Sequence, residues 1–141
     1  MLTRRGLAGL AGCAICEITG FFATEVSAQT APPVTTPGLT RKLLSQSEGP
    51  TPGWLTITMQ VEVEPGALIG RHTHPGIEAG YVVDGELELP IEGQPNRALK
   101  TGDAFQVPAG TPHGGAKNGA KKAVIVSTYV VEKGKPLASP A

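Results

Sequence analysis

Between Leu55 and Val63 the chain alternates without interruption. Leu55, Ile57, Met59, Val61 and Val63 are apolar, while Thr56, Thr58, Gln60 and Glu62 are polar. A period of two marks a strand with one buried face. Pro65-Gly66 ends the run. Tyr81-Val82-Val83 leads into Asp84-Gly85, which predicts a two-residue hairpin and a return strand alternating through Leu87, Leu89 and Ile91. The chain turns again at Gln94-Pro95-Asn96 and at Lys100-Thr101-Gly102-Asp103. Phe105-Gln106-Val107 forms a short strand stopped by Pro108, and Lys121 to Val131 forms the last long one. Short strands with turn signals about every 8–12 residues predict an all-β sandwich or barrel. Ile57, Met59, Val61, Phe105, Gln106 and Val107 are expected on its walls, as core or as pocket lining. Trp54, at a strand start, is expected at the rim or on the surface.

Composition narrows this picture. A length of 141 residues supports one domain. The 19 glycines and 13 prolines suit many turns and do not suit a helical bundle. With 12 basic and 12 acidic residues and no basic block, nothing points to nucleic acid or an anionic membrane surface.

The first residues read as an address. Arg4-Arg5 precedes the apolar run 6–23, and Val26-Ser27-Ala28 offers small residues for cleavage. The pattern is expected to be a twin-arginine-like export signal over residues 1–28, with an ordinary secretory signal as the alternative. Glu17 interrupts the run, which argues against a transmembrane anchor. Leu10-Ala11-Gly12-Cys13 also offers a lipoprotein box, and acylated Cys13 would tether the domain to a membrane. Cleavage after Ala28 removes both Cys13 and Cys16, leaving a mature domain without disulfides. The expected location is the periplasm. Residues 29–41 read as a Pro/Thr-rich arm or linker, residues 42–132 as the folded domain and residues 133–141 as a tail.

The candidate chemistry rests on the three histidines of the chain. His72 and His74 are two residues apart, so on a strand they share a face, and Glu78 keeps the same parity. His113 lies beyond the Pro108-Ala109-Gly110-Thr111-Pro112 turn and can close the set from a neighbouring strand. Imidazoles with a carboxylate suit one divalent transition ion: Fe, Mn, Ni, Co or Zn. Three His and one Glu on a six-coordinate ion leave two positions for water or substrate. Arg71 has the opposite parity to His72 and should face away. No second acid/base group is evident beyond Glu78, because nothing in the pattern locates Tyr81 or Tyr129.

These residues carry a resemblance. Gly66, five residues, His72-Thr73-His74, three residues, Glu78, six residues and Gly85 match the first motif of the cupin superfamily at every fixed position. Gly102, five residues, Pro108-Ala109-Gly110, two residues and His113 match the second motif as far as its histidine. The Asn that ends that motif is expected where Lys117 stands, and Asn118 comes one place late. The resemblance implies a cupin-type double-stranded β-helix, a jelly-roll barrel. It implies metal held by His72, His74, Glu78 and His113, although some cupins use the carboxylate as a catalytic base instead, which makes Glu78 the candidate catalytic residue. The implied activity is that of a metalloenzyme acting on a small molecule. A dioxygenase is the commonest kind, followed by decarboxylases, isomerases and lyases. The alternative is a non-catalytic, metal-dependent module that binds or senses a small molecule. Small cupins often dimerise by exchanging an N-terminal strand, so a homodimer is implied, with the arm before Arg41 placed for the exchange. Gly66, Gly85, Gly102 and Gly110 are read as turn glycines with positive φ.

Overall fold

The computed structural model describes residues 32–141. The expected export signal, its arginine pair and both cysteines lie outside the described residues. Among the described residues there are ten strands and no helix. They are β1 (Val34–Thr36), β2 (Leu39–Glu48), β3 (Trp54–Val63), β4 (His72–Thr73), β5 (Gly76–Asp84), β6 (Glu86–Glu88), β7 (Ala98–Lys100), β8 (Ala104–Val107), β9 (Ala123–Glu132) and β10 (Ser139–Pro140). Six form one antiparallel sheet in the order β1-β2-β3-β9-β5-β8. The opposing layer consists of two short ladders, β10-β4 and β6-β7, joined by isolated bridges of His113 to His72 and to Ile91.

Alternation is sharpest in β5, where buried and exposed residues alternate, and is regular in β9, whereas β3 buries only Ile57 and Val63 and half-buries the rest. In β9 Ala123, Ile125, Ser127, Tyr129 and Val131 are buried and the residues between them are half-buried. Inward residues of both layers meet in one apolar cluster, with Val63, Val82, Leu87, Leu99, Val107 and Ala123 almost fully enclosed. Each of these valines and leucines contributes about 1.5–3 kcal/mol relative to exposure. A second, smaller cluster joins Ile57, Tyr129 and Val131 to Leu43, Met59 and Leu137. These two clusters give the jelly roll its core. Gly66, Gly85, Gly102 and Gly110 all have positive φ, as expected of turns.

The structure corrects two expectations. Asp84-Gly85 does not close a hairpin, because β6 pairs with β7 and not with β5. Gly85 instead turns a corner between the layers. It passes so close to β9 that a Cβ there would lie 2.0 Å from the Lys122 carbonyl oxygen. The domain also exceeds residues 42–132 at both ends. β1 and the start of β2 fall in the segment read as an arm, and β10 falls in the tail. β2 escapes a period-two reading because Arg41 takes an inward position between Leu39 and Leu43, and a bulge shifts the register between Leu43 and Ser45.

Asn118, one place beyond the expected motif position, is 5% exposed. Its amide donates to the carbonyls of Val63, Glu64 and Lys121, tying the end of β3 to the start of β9.

Candidate metal centre

The four residues singled out by parity and motif converge inside the barrel. β4 carries His72, and His74 follows it immediately. Pro75 interrupts the strand, yet β5 resumes in phase, so Gly76, Glu78, Gly80 and Val82 all face inward. His113 is bound to β4 by a reciprocal main-chain pair, each His72 and His113 amide donating to the other's carbonyl at 3.0 Å. The second motif is thereby fastened directly onto the first. His74, Glu78 and His113 are buried, at 5%, 5% and 1% exposure, and His72 is half-buried.

The imidazoles have defined orientations. Nδ1 of His72 donates to the Gly70 carbonyl at 2.7 Å, Nδ1 of His74 to Leu137 at 2.6 Å and Nδ1 of His113 to Thr111 at 3.0 Å. A carbonyl only accepts, so each neutral ring carries its proton on Nδ1 and presents an Nε2 lone pair. This is the usual arrangement of a metal-ligating histidine with a polar partner behind it. The histidine donor atoms lie within 4.8 Å of one another. Glu78 Oε2 is 3.2 Å from Nε2 of His74 and 3.1 Å from Nε2 of His113. These distances suit hydrogen bonds, but neither buried Nε2 has an aligned partner. With one ring proton on each Nδ1, each contact needs a positive centre between Nε2 and the carboxylate: a proton on Nε2, donated to Glu78 when the site is empty, or a metal ion in its place. The donor set therefore fits a divalent transition ion, and the His72/His74/His113 cluster could hold one.

Charge in the site follows from its surroundings. Burial pushes the Glu78 carboxyl up, but the imidazoles of His113 and His74 and the Ser127 hydroxyl outweigh it and hold the carboxyl far below the usual carboxylate range. Burial, reinforced by the neighbouring histidines, pushes His72 below its ordinary value despite the Gly70 carbonyl. Its lone pair is thus available near neutral pH.

A cavity of about 430 Å³ opens beside these residues. Met59, Val61, Ile69, Leu89 and Phe105 form much of its apolar wall, and Leu137 to Pro140 close one side. Ile57 and Val107 belong to the core, and Gln106 is exposed. Trp54 does not line the cavity. Arg71, expected to face away, also borders the cavity, where it forms an ion pair with Glu92.

Sequence reasoning missed several participants. Tyr129 stands opposite Glu78 in the β5–β9 register, its ring 4.9 Å from that of His74. Burial and the adjacent Glu78 carboxylate push its phenol well above the usual tyrosine value, so it keeps its proton. Its odd-numbered parity in β9, shared with Ser127, was the available signal. Arg41 also lines the cavity. The Leu137 carbonyl, a main-chain group, left no signal.

A cupin-domain profile matches residues 59–129, just over half of the chain. No curated protein matches it. Among solved structures, an RmlC-like cupin from Shewanella frigidimarina is 23% identical, with a TM-score of 0.61 over 77% of this chain and 89% of that one. KdgF from a Halomonas species is 30% identical, with a TM-score of 0.56 over 68% of this chain and 83% of that one. The DMSP lyase DddQ from Ruegeria pomeroyi is 20% identical, with a TM-score of 0.60 over 73% of this chain and 51% of that one.

Proposed function

This chain belongs to the cupin family, and on that premise we propose that its barrel is a metalloenzyme centre that binds a small molecule at a divalent transition ion held by His72, His74, Glu78 and His113. The observation that carries the reading is the convergence of buried Nε2 atoms on the Glu78 carboxylate while every Nδ1 is committed to a carbonyl. When bound, the ion would supply Lewis acidity or redox chemistry at two open positions, and an oxygenase-type reaction is the one we favour. Glu78 would stay anionic and keep the imidazoles in register. The apolar wall would exclude water from the bound molecule.

The alternative is a non-catalytic binding or sensing module. Tyr129 serves either reading: beside Glu78 it keeps its proton, which makes it a hydrogen-bond donor to a bound oxygen and a poor proton donor.

Elemental analysis of the purified protein beside His72→Ala and His113→Ala tests the reading. Stoichiometric iron or manganese, lost in both variants, leads to oxygen-consumption assays. Zinc or nickel points to isomerase, lyase or binding roles. Metal retained in both variants, or absent from the folded wild type, overturns the ligand assignment.

Two proposals accompany this one. The arginine pair and cleavage site of residues 1–28 support periplasmic export, which cell fractionation checks. Ile77, Tyr81 and Val83, about half exposed on the outer face of β5, support a homodimer, which light scattering checks.

A further inference from the structure

Arg41 breaks a pattern that the rest of the barrel keeps. On β2 the inward positions run Leu39, Arg41, Leu43, and the two leucines enter the two apolar clusters. Arg41 pairs in register with Val61 of β3, which pairs with Ile125 of β9. All three line the cavity that holds the histidines, Glu78 and Tyr129.

Among the described residues the half-buried arginine meets no counter-ion, and its side chain makes a single, long hydrogen bond, to Thr36 Oγ1 at 3.4 Å. Among the described residues no carboxylate lies within ion-pair distance of it, whereas Arg71 pairs with Glu92 and Arg97 donates to the Ala104 carbonyl. Glu78, the one carboxylate lining the cavity, is engaged by His74 and His113. The guanidinium's contact to Thr36 is solvent-exposed, which leaves its remaining donors free to meet an anion entering the cavity. Its planar donor fork matches a carboxylate in a bidentate pair. The cavity is large enough for a small organic molecule.

We propose that Arg41 is the anchor for a carboxylate group of the molecule this cavity receives, so that the ligand is a small organic acid with an apolar body lying between Arg41 and the histidine–glutamate cluster. The proposal deepens the metal-centre reading and rests on it for the far end of the ligand. The Arg41 end stands on the cavity wall independently. Arg41 is a specificity-determining residue in this account and takes no part in metal binding.

Calorimetric titration with benzoate, benzamide and inorganic phosphate tests it, using wild type, Arg41→Met and Arg41→Lys, each assayed for metal content. Wild type is expected to bind benzoate about tenfold or more tightly than benzamide. Arg41→Met should lose about tenfold or more in benzoate affinity, with benzamide binding and metal content unchanged. Arg41→Lys should recover part of that loss, since it restores charge without the fork. Equal benzoate affinity in wild type and Arg41→Met, or no benzoate binding by wild type, overturns the proposal. Tighter binding of phosphate than of benzoate overturns the carboxylate assignment. A wild type that holds no metal defeats the metal-centre reading alone, because the effect of Arg41→Met on benzoate is then read on the metal-free protein and still decides the anchor.

Discussion

The Nδ1 of His74 donates to the main-chain carbonyl of Leu137, 63 residues further along the chain and 2.6 Å away. Behind that bond, Ser139 and Pro140 pair with Thr73 and His72, so the strand carrying the first histidine is flanked by β10 on one side and meets His113 on the other. A segment with no strand pattern of its own thus orients a buried imidazole and forms part of the cavity wall.

Truncation before Leu137 should release that orientation. Loss of a ligand's outer hydrogen-bond partner typically costs about 10–100-fold in metal affinity. The six-stranded sheet does not depend on β10, so the truncated protein should remain folded. Competition with a chelator, read beside a circular-dichroism melt, checks both statements. Unchanged metal affinity would show that the tail does not position His74.

Acid should weaken the metal-free domain in two stages. The His72 value is lowered from 6.5, so below that pH the unfolded chain takes a proton that the folded protein refuses. The Glu78 value is lowered from 4.5, so its contribution is complete above that pH and is lost as pH falls further toward its folded value. Both shifts make stability rise with pH. Urea midpoints measured from pH 8 to pH 3 should fall in these two windows, and Glu78→Gln should shrink the lower one, leaving the share of Glu62, whose carboxyl Lys122 also holds down. A flat profile would contradict the charge assignments.

Gly80→Ala should narrow the cavity. An added Cβ would lie 2.1 Å from Phe105 Cζ, and Phe105 is itself a wall residue, so relief requires its ring to move. Overpacking of this kind costs about 1–3 kcal/mol. Chemical denaturation gives the cost, and a drop in benzoate affinity would report the displaced ring.

Asn118→Ala should destabilise the fold without touching the histidines. It removes donors from three carbonyls that close β3 onto β9, and stranding buried acceptors costs about 1–3 kcal/mol. Metal stoichiometry should be unchanged. If the variant is as stable as wild type, the asparagine is not the staple described here.

The strand class and the cluster of His72, His74, Glu78 and His113 were legible because both depend on local rules. Period-two alternation reports which face of a strand is buried, and His72 and His74 two residues apart must share that face. The cupin motifs add the spacing that brings His113 back to the same place. Other features arise only where distant segments meet. The crossing of β6 to β7 depends on Gly85 passing β9, and the place of Tyr129 depends on its register opposite Glu78. Arg41 looked like the end of a linker until β2 paired with β3 and set it on the cavity wall. The Leu137 carbonyl could not be found by any reading of side chains, because every residue carries one and only tertiary packing selects which of them faces His74.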